Sequence, residues 1–278
     1  MDTHIVLVYC LCDDMLTAVH HREDSQCRLS DAEIMTIALV AALYFGGNYA
    51  MSRRFLLEQG YITRSISRVR FSVRLHRVSH HFATLFNMLG TIWKASNDDP
   101  IYVIDTFPIS VCESIRISRC RIYQQEAYRG YQSSKKRYFY GLKIHMLVTK
   151  DFEPVEFFLT PGSYGDVTGL ACFEFDLPPE SVVYGDKAYN YYLVEDLLDV
   201  HDISLQPIRK KNSKRPLPPW ARYLQAYFRK AVETTGSLIE RLLPKSIHAT
   251  NAAGFELKVA LFALAASINC IQVPESIA

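Results

Sequence analysis

Two aspartates stand at the ends of segments that have the composition of buried strands. Residues 101–104 (IYVI) run directly into Asp105, and residues 181–184 (SVVY) are followed by Gly185 and Asp186. A buried carboxylate is costly unless it is protonated, hydrogen-bonded or bound to a cation. If the two strands were neighbours in one sheet, their carboxylates would repel each other, and a divalent cation would remove that repulsion. Carboxylate oxygens favour Mg²⁺ or Mn²⁺.

A third acidic ligand is expected on a helix that packs beside these strands. The segment 220–243 carries apolar residues at helical spacing, and Glu233 borders this stripe. Arg229 lies one turn before Glu233 and Gly236 lies one turn after it, so we expect Glu233 to face the sheet edge. Glu240 has almost the same angular position two turns further on. It therefore stays the alternative third acid.

Each of these acids also has a structural interpretation. A single aspartate at a strand end often caps the strand or pairs with a cation, and Asp166 in TPGSYGD is typical of a turn. The metal-site interpretation depends on the combination of the acids with the basic segments around them.

The basic residues are concentrated in three segments, although the net charge is only +2. Lys and Arg outnumber acids by eight to one in residues 46–95, eight to one in 116–143 and eleven to three in 206–258. Such a distribution suits a surface that meets a polyanion such as nucleic acid, although each segment alone could be a solvated face.

The first 95 residues have helical periodicity. Ser30 and Glu33 form a predicted capping box at the start of an apolar helix, and a second helix is expected near residues 50–58. A long third helix is predicted over 67–89. Its expected apolar stripe consists of Val69, Val73, Leu75 and Val78, and its basic face consists of Arg68, Arg70, Arg74 and Arg77. We interpret 1–95 as a helix-turn-helix-like DNA-binding domain, the alternative being an ordinary helical bundle with a basic face.

The pattern changes after the polar segment 94–100 (KASNDDP), which we take as the domain boundary. Strands are predicted at 101–105, 138–149, in PVEFFLTPG, at 181–189 and in ISLQPI, with helices between and after the later ones. This order predicts an α/β domain over 96–278, with a mixed sheet of about five strands flanked by helices.

The cysteines and the apolar runs indicate the cellular environment. Seven cysteines at irregular spacing, without a C-x-x-C pair, are typical of a reduced, cytoplasmic protein. The apolar runs 34–45 and 259–268 are shorter than a bilayer requires, so they are expected to be buried helices.

Several of these segments, taken in order, resemble the DDE transposases of bacterial insertion sequences, in particular the insertion-sequence 982 family. The resemblance is carried by YVIDTFPIS, EAYRGYQSSKKRYFYGLKIHMLVT, LTPGSYGD, VVYGDKAYN and RKAVETTGSLIERL. It implies an RNase H-like catalytic core and the catalytic, metal-binding triad Asp105, Asp186 and Glu233. Related transposases often carry a tyrosine and a lysine around the glutamate, but Ala226 and Glu240 occupy those positions here.

The function implied by the resemblance is DNA transposition. Two Mg²⁺ or Mn²⁺ ions would support cleavage at the element ends and transfer of the freed 3′-hydroxyl into target DNA. Joining two ends implies a homodimer on double-stranded DNA. The expected DNA contacts, besides the four arginines of the third helix, are Lys135, Lys136, Arg137, Lys187, Lys210, Lys211 and Arg229. The alternatives are a metal-dependent nuclease or resolvase with the same core, and a non-catalytic repressor derived from a transposase.

Overall fold

The computed structural model describes residues 1–112, 114–132, 136–209, 212–216, 218–221, 223–224, 227, 247 and 249–272. Their contacts divide them into two compact units. The helical unit contains residues 1–89, 247 and 253–272, and the sheet unit contains the other described residues.

The helical unit is built from six helices. They are α1 (Asp2–Ala18), α2 (Asp31–Tyr44), α3 (Tyr49–Glu58), α4 (Arg68–Arg77), α5 (Ser79–Ser96, which continues into the sheet unit) and α8 (Ala252–Asn269). The predicted capping box of α2 is confirmed, because Glu33 N donates to Ser30 Oγ at 3.0 Å and Ser30 N donates to Glu33 Oε2 at 2.6 Å. Nearly every residue of α2 is buried, so this helix is the centre of the unit.

Helix α8 belongs to the helical unit, whereas the sequence pattern assigned all of 96–278 to one domain. The Lys258 ammonium lies 5.1 Å from the centre of the Tyr49 ring, and the Phe262 ring lies 3.2 Å from where a Cβ on Gly47 would be. With 18 residues and a mean hydropathy of 1.4, α8 is long and apolar enough to cross a membrane. Most of its residues are buried inside the protein, as in the core helix of a globular fold.

The predicted third helix is two helices, because the chain turns at Val78 between α4 and α5. The predicted apolar stripe is also partly wrong. Phe71 and Leu75 are buried, but Val69 is 72% exposed and Val73 is 56% exposed. Phe71, Leu75 and Val78 follow the i, i+4, i+7 spacing of one helix face, so Val69 and Val73 necessarily point elsewhere.

The geometry of a helix-turn-helix occurs one helix earlier than the basic helix α4. Residues 45–48 join α2 to α3, and the chain bends by 109° there. A turn of this length and angle, with glycines in it, is typical of the motif. By contrast, α3 and α4 are separated by residues 59–67, which is longer than such a turn.

The sheet unit contains six strands rather than about five. They are β1 (Ile101–Cys112), β2 (Arg129–Gln132), β3 (Arg137–Thr149), β4 (Pro154–Pro161), β5 (Ser181–Gly185) and β6 (Ile203–Pro207). The order is β2–β3–β1–β5–β6, and β4 also pairs with β3. Strands β1, β5 and β6 are parallel, whereas β3 is antiparallel to β1, β2 and β4. The additional strand is β2, whose four residues are too few to give a periodic signal.

Short helices and turns complete the sheet unit. They are α6 (Asp166–Leu170), α7 (Tyr192–Asp199) and the 3₁₀ turns Ser114–Arg119, Glu126–Tyr128 and Lys187–Tyr189. A cluster of buried apolar side chains packs on one face of the sheet. It includes Tyr102, Ile104, Leu147, Leu170, Val183, Tyr189, Leu198 and Leu205.

The sequence predicted that strand β1 ends at Asp105, but the strand continues to Cys112. Its antiparallel pairing with β3 extends along this whole length, whereas its parallel pairing with β5 ends at Ile104 and Gly185. Asp105 is therefore the first residue of β1 beyond the parallel pair. Pro108, which has no N–H to donate, is tolerated where only one neighbouring strand remains.

Candidate active site

The two aspartates predicted from the sequence occupy equivalent positions at one edge of the sheet. Ile104 pairs with Gly185 in the last step of the parallel ladder, so Asp105 and Asp186 follow on neighbouring strands. Residues that pair across a ladder share a face. The same register, continued by one residue, would therefore place these two side chains on the same side of the sheet. The expectation that the two strands are neighbours is confirmed.

Local backbone contacts orient both carboxylates. Thr106 N donates to Asp105 Oδ1 at 2.8 Å, and Asp105 is half-buried. Asp186 is exposed and caps the turn Lys187–Tyr189, because Lys187 N donates to its Oδ1 at 2.6 Å. Gly185 allows this arrangement, since a Cβ there would lie 2.8 Å from Ile104 Cγ2 and 2.9 Å from Tyr189 Cδ2.

The third acid cannot be placed beside them, because Glu233 and its alternative Glu240 both lie outside the described residues, as does Arg229. Within the described part of the chain, no group of three or more His, Cys, Asp and Glu side chains is arranged to hold a metal ion. Asp166, which its sequence context identified as a turn residue, lies at the start of α6 and pairs with Lys143 at 3.1 Å.

A chain of buried hydrogen bonds lies directly behind Asp105. Tyr189 Oη lies 2.7 Å from Thr106 Oγ1, which lies 2.9 Å from His145 Nδ1. His145 Nε2 in turn lies 2.8 Å from Thr160 Oγ1. We call these four residues the His145 chain. They come from the turn after β5, from β1, from β3 and from β4, so the chain connects four separate segments.

Burial determines the protonation states along the His145 chain. It lowers the pKa of His145 to about 4; the charge of Asp166 opposes this by a smaller amount, and the charge of Lys143 adds to it. Burial also raises the pKa of Tyr189 well above its usual value, and the charges of Asp105, Asp166 and Asp186 add to this rise. At neutral pH both groups are therefore uncharged.

The sequence did not point to Thr106, Tyr189, His145, Thr160 or Asp166 as site residues. The alternation of residues 138–149 predicts that Lys143 and His145 face away from the apolar side of their strand, toward solvent or DNA. Instead His145 is fully buried and Lys143 pairs with Asp166. The only available signal was an imidazole and an ammonium at alternating positions of an otherwise apolar strand.

The four arginines predicted to contact DNA through α4 have different environments. Arg68, Arg70 and Arg77 are exposed. Arg74 is mostly buried, and its guanidinium donates to Asp31 and to the Leu29 carbonyl. Since the Arg74 guanidinium is paired with Asp31 inside the helical unit, we leave Arg74 out of the DNA surface proposed below.

The Asp31 side chain connects several polar groups of the helical unit. Besides Arg74, it accepts from His21 Nε2 at 2.9 Å, and His21 Nδ1 lies 3.1 Å from His81 Nε2. Burial acts to raise the pKa of Asp31, but the hydrogen bonds from His21 and Arg74 outweigh this and lower it. We call Asp31, Arg74, His21 and His81 the Asp31 cluster.

Three of the remaining predicted DNA contacts lie among the described residues of the sheet unit. Lys136 and Arg137 are exposed at the start of β3, and Lys187 is exposed directly after Asp186. The same hairpin exposes two tyrosines in contact, Tyr131 and Tyr138, whose ring centres are 5.0 Å apart and whose planes are inclined by 56°. Lys135, Lys210 and Lys211 lie outside the described residues.

The donor set at the sheet edge fits a hard divalent cation. Asp105 and Asp186 offer carboxylate oxygens directly after the last paired residues of two adjacent parallel strands, and such oxygens are ligands that Mg²⁺ and Mn²⁺ prefer. Mg²⁺ is commonly held by one or two carboxylates together with substrate phosphates in enzymes of phosphate chemistry. The fold and the paired acids thus define a candidate metal-dependent phosphoryl-transfer enzyme.

The comparison with protein families makes the identification more specific. The model of the family described as "Transposase DDE domain" matches residues 95–242, which is more than half of the chain. The chain therefore belongs to the DDE transposase family, whose members cut and transfer DNA strands and generally use divalent metals.

Comparisons with individual proteins add one structural similarity. The chain is similar to the piggyBac transposase, solved by cryo-electron microscopy as a synaptic complex with hairpin DNA. The TM-score is 0.46 with 9% sequence identity, over 95% of this chain and 74% of that chain. No curated protein sequence matches the chain.

Proposed function

We propose that this protein is a DNA transposase that cuts at the ends of an insertion sequence and joins the freed 3′-hydroxyl to target DNA. The observation that supports this most directly is that Asp105 and Asp186 directly follow Ile104 and Gly185, the last paired residues of the parallel ladder between β1 and β5. The strand arrangement, with β1 antiparallel to β3 and parallel to β5 and β6, is compatible with an RNase H-like core. Membership of the insertion-sequence 982 family and a bacterial, cytoplasmic origin are parts of the same proposal.

Asp105, Asp186 and Glu233 would hold two Mg²⁺ or Mn²⁺ ions, with Glu240 as the alternative to Glu233. When bound, these ions supply activation of the attacking oxygen and neutralisation of charge on the phosphorus. The protein's own part is to fix the two carboxylates, through the amide N–H groups of Thr106 and Lys187. Lys187 stands next to Asp186, where its ammonium can neutralise a DNA phosphate.

Two basic surfaces, one in each unit, would carry the DNA. In the helical unit Arg68, Arg70 and Arg77 extend from α4 into solvent. In the sheet unit Lys136 and Arg137 accompany the exposed pair Tyr131 and Tyr138, a combination of cations and aromatic rings that suits backbone contacts and base stacking. Lys135, Lys210, Lys211 and Arg229 remain candidates from the sequence. Because two ends must be joined, we propose a dimer assembled on DNA.

A cleavage and joining assay tests this function. The substrates are labelled duplexes from the DNA that flanks the gene, incubated with Mg²⁺ and a supercoiled target plasmid. Wild-type protein is expected to nick the element end and to give joined product. Asp105→Ala and Asp186→Ala are expected to abolish both reactions while end binding in a mobility-shift assay is kept. Glu233→Ala should behave like them, and Glu240→Ala should retain cleavage.

The other outcomes separate the alternative functions. Cleavage without joined product would indicate a nuclease or resolvase. A mobility shift without any cleavage by the wild-type protein would indicate a DNA-binding repressor. If Glu240→Ala is inactive and Glu233→Ala is active, the third acid is Glu240.

A further inference from the structure

The residue after Asp105 makes contacts in three directions. The Thr106 backbone N–H donates to the Asp105 carboxylate, while its hydroxyl contacts both His145 Nδ1 and Tyr189 Oη. The Thr106 backbone and side chain therefore join the first aspartate to the buried side of the sheet.

Tyr189 is attached in the same way to the second aspartate. Asp186 begins the turn Lys187–Tyr189, and Tyr189 N donates to the Asp186 carbonyl at 3.0 Å. The 2.7 Å contact between Tyr189 Oη and Thr106 Oγ1 thus links the two aspartate segments. This link lies beyond Ile104 and Gly185, where the parallel ladder no longer holds the strands together.

His145 provides a rigid support for this link. Its ring stacks on Phe158 with centres 4.8 Å apart and planes inclined by 9°, and a Cβ on Gly169 would lie only 2.1 Å from it. Protons can be ordered so that Tyr189 O–H donates to Thr106, Thr106 O–H donates to Nδ1, and Nε2–H donates to Thr160. This order uses the hydroxyl hydrogens of Tyr189 and Thr106 and the Nε2 hydrogen of His145, and it needs a neutral imidazole.

We propose that Thr106 and Tyr189 are positioning residues, which set the separation of the Asp105 and Asp186 carboxylates and thereby the affinity of the site for a divalent cation. This inference rests on the proposed function, because it assumes that the two aspartates share a metal site. Hydrogen-bonding partners behind metal ligands commonly change metal affinity by about 10–100-fold when they are removed.

Mn²⁺ binding to the full chain without DNA tests the proposal, with free Mn²⁺ followed by electron paramagnetic resonance. Tyr189→Phe keeps the ring but removes the hydroxyl, and we expect about tenfold weaker Mn²⁺ binding. The matched control is Tyr102→Phe. Tyr102 is as deeply buried in the same core, but its hydroxyl takes no part in the His145 chain, so its loss should change Mn²⁺ affinity by less than about twofold.

A second pair of variants covers the case in which Tyr189→Phe does not fold. Thr106→Ser keeps the hydroxyl and should bind Mn²⁺ like the wild type, whereas Thr106→Val removes it and should lose about tenfold in affinity. Equal Mn²⁺ affinity in the Ser and Val variants, or in the two Tyr→Phe variants, would overturn the proposal.

Asp105→Asn distinguishes this failure from a failure of the proposed function. Its loss of Mn²⁺ binding would establish that the measured ion occupies the aspartate site. Unchanged Mn²⁺ binding in Asp105→Asn would show that the aspartates are not the metal site, so that both proposals fall together.

Discussion

The Asp31 cluster of the helical unit is charged, whereas the His145 chain of the sheet unit is neutral. In the first, hydrogen bonds from His21 and Arg74 keep the pKa of Asp31 low despite its burial. In the second, burial lowers the pKa of His145 to about 4, so the imidazole is uncharged at neutral pH. Each cluster connects segments that are distant in the sequence, yet they do so with opposite electrostatics.

The difference is explained by what lies beside each cluster. An imidazolium behind Asp105 and Asp186 would attract both carboxylates and compete with a cation for them. Neutral hydrogen bonds orient the same residues without such competition. In the Asp31 cluster the neighbouring acids face a cation, since Arg74 pairs with Asp31 and also lies 3.7 Å from Glu23 Oε2, so an ion pair can connect α2 with α4. We therefore expect the two clusters to respond differently to charge removal, to pH and to loss of a hydroxyl.

Removal of Arg74 should have the largest effect. Arg74→Met leaves Asp31 with a charge in a mostly buried site, and breaking one side of a buried pair costs about 3–5 kcal/mol. The free energy of unfolding, measured in urea, should fall by an amount near the lower end of this range, because His21 still donates to Asp31. Arg70→Met, an exposed change on the same helix, serves as the control and should alter stability by less than about 0.5 kcal/mol.

The double variant Arg74→Met with Asp31→Leu tests the cause of that loss. Removal of both charges should restore most of the stability, since a buried ion pair can be replaced by apolar side chains at little cost. A double variant as unstable as Arg74→Met would show that packing, rather than the unpaired charge, is responsible.

The second-largest effect on stability is expected from acidification, which acts on the His145 chain. His145 has an ordinary pKa of 6.5 when unfolded and a folded pKa of about 4, so the unfolded state binds the proton first. Stability is therefore complete above pH 6.5 and decreases as the pH falls toward 4, by a total on the order of 3 kcal/mol. Chemical denaturation at a series of pH values measures this decrease.

The His145→Gln variant isolates the contribution of His145, because His81 also has a pKa lowered by burial. The difference between the wild-type and His145→Gln stability curves should narrow as the pH falls from 6.5 to 4. Parallel curves over that interval would mean that His145 binds its proton as readily in the folded protein as in the unfolded chain.

The smallest effect is expected at the far end of the His145 chain. Thr160→Val removes the oxygen that His145 Nε2–H contacts and leaves that donor buried, at a cost of about 1–3 kcal/mol. Thr160→Ser retains the hydroxyl and should stay within about 1 kcal/mol of the wild type in thermal unfolding. Equal unfolding temperatures for the Val and Ser variants would show that this hydrogen bond contributes nothing.

The sequence predicted most of the secondary structure near the site and the two aspartates themselves. The strand predicted over residues 138–149 and the capping box at Ser30 both appear in the structure. The predicted apolar stripe of α4 was wrong at Val69 and Val73, because Phe71 lies on the buried face instead. Periodicity alone does not identify which of two helix faces is buried. Glu233 and the roles of the three acids remain predictions.

The Asp31 cluster and the His145 chain could not be predicted in this way. Arg74 meets Asp31, 43 residues earlier, and Tyr189 meets Thr106, 83 residues earlier. The sequence around Arg74 and Tyr189 does not indicate these partners, since each residue occupies an ordinary position in its helix or turn. The same holds for α8, whose apolar composition indicated burial but not which unit would bury it.

The sequence by itself determined where an acid follows a run of apolar, strand-forming residues, because strand periodicity and capping depend on residues only a few positions apart. Tertiary structure decided that Ile104 pairs with Gly185, and hence that Asp105 and Asp186 lie side by side. It also placed Thr106, Tyr189 and His145 in one chain of hydrogen bonds behind them. Such pairing of distant segments depends on the apolar surface that the whole sheet buries, and no local pattern records that sum.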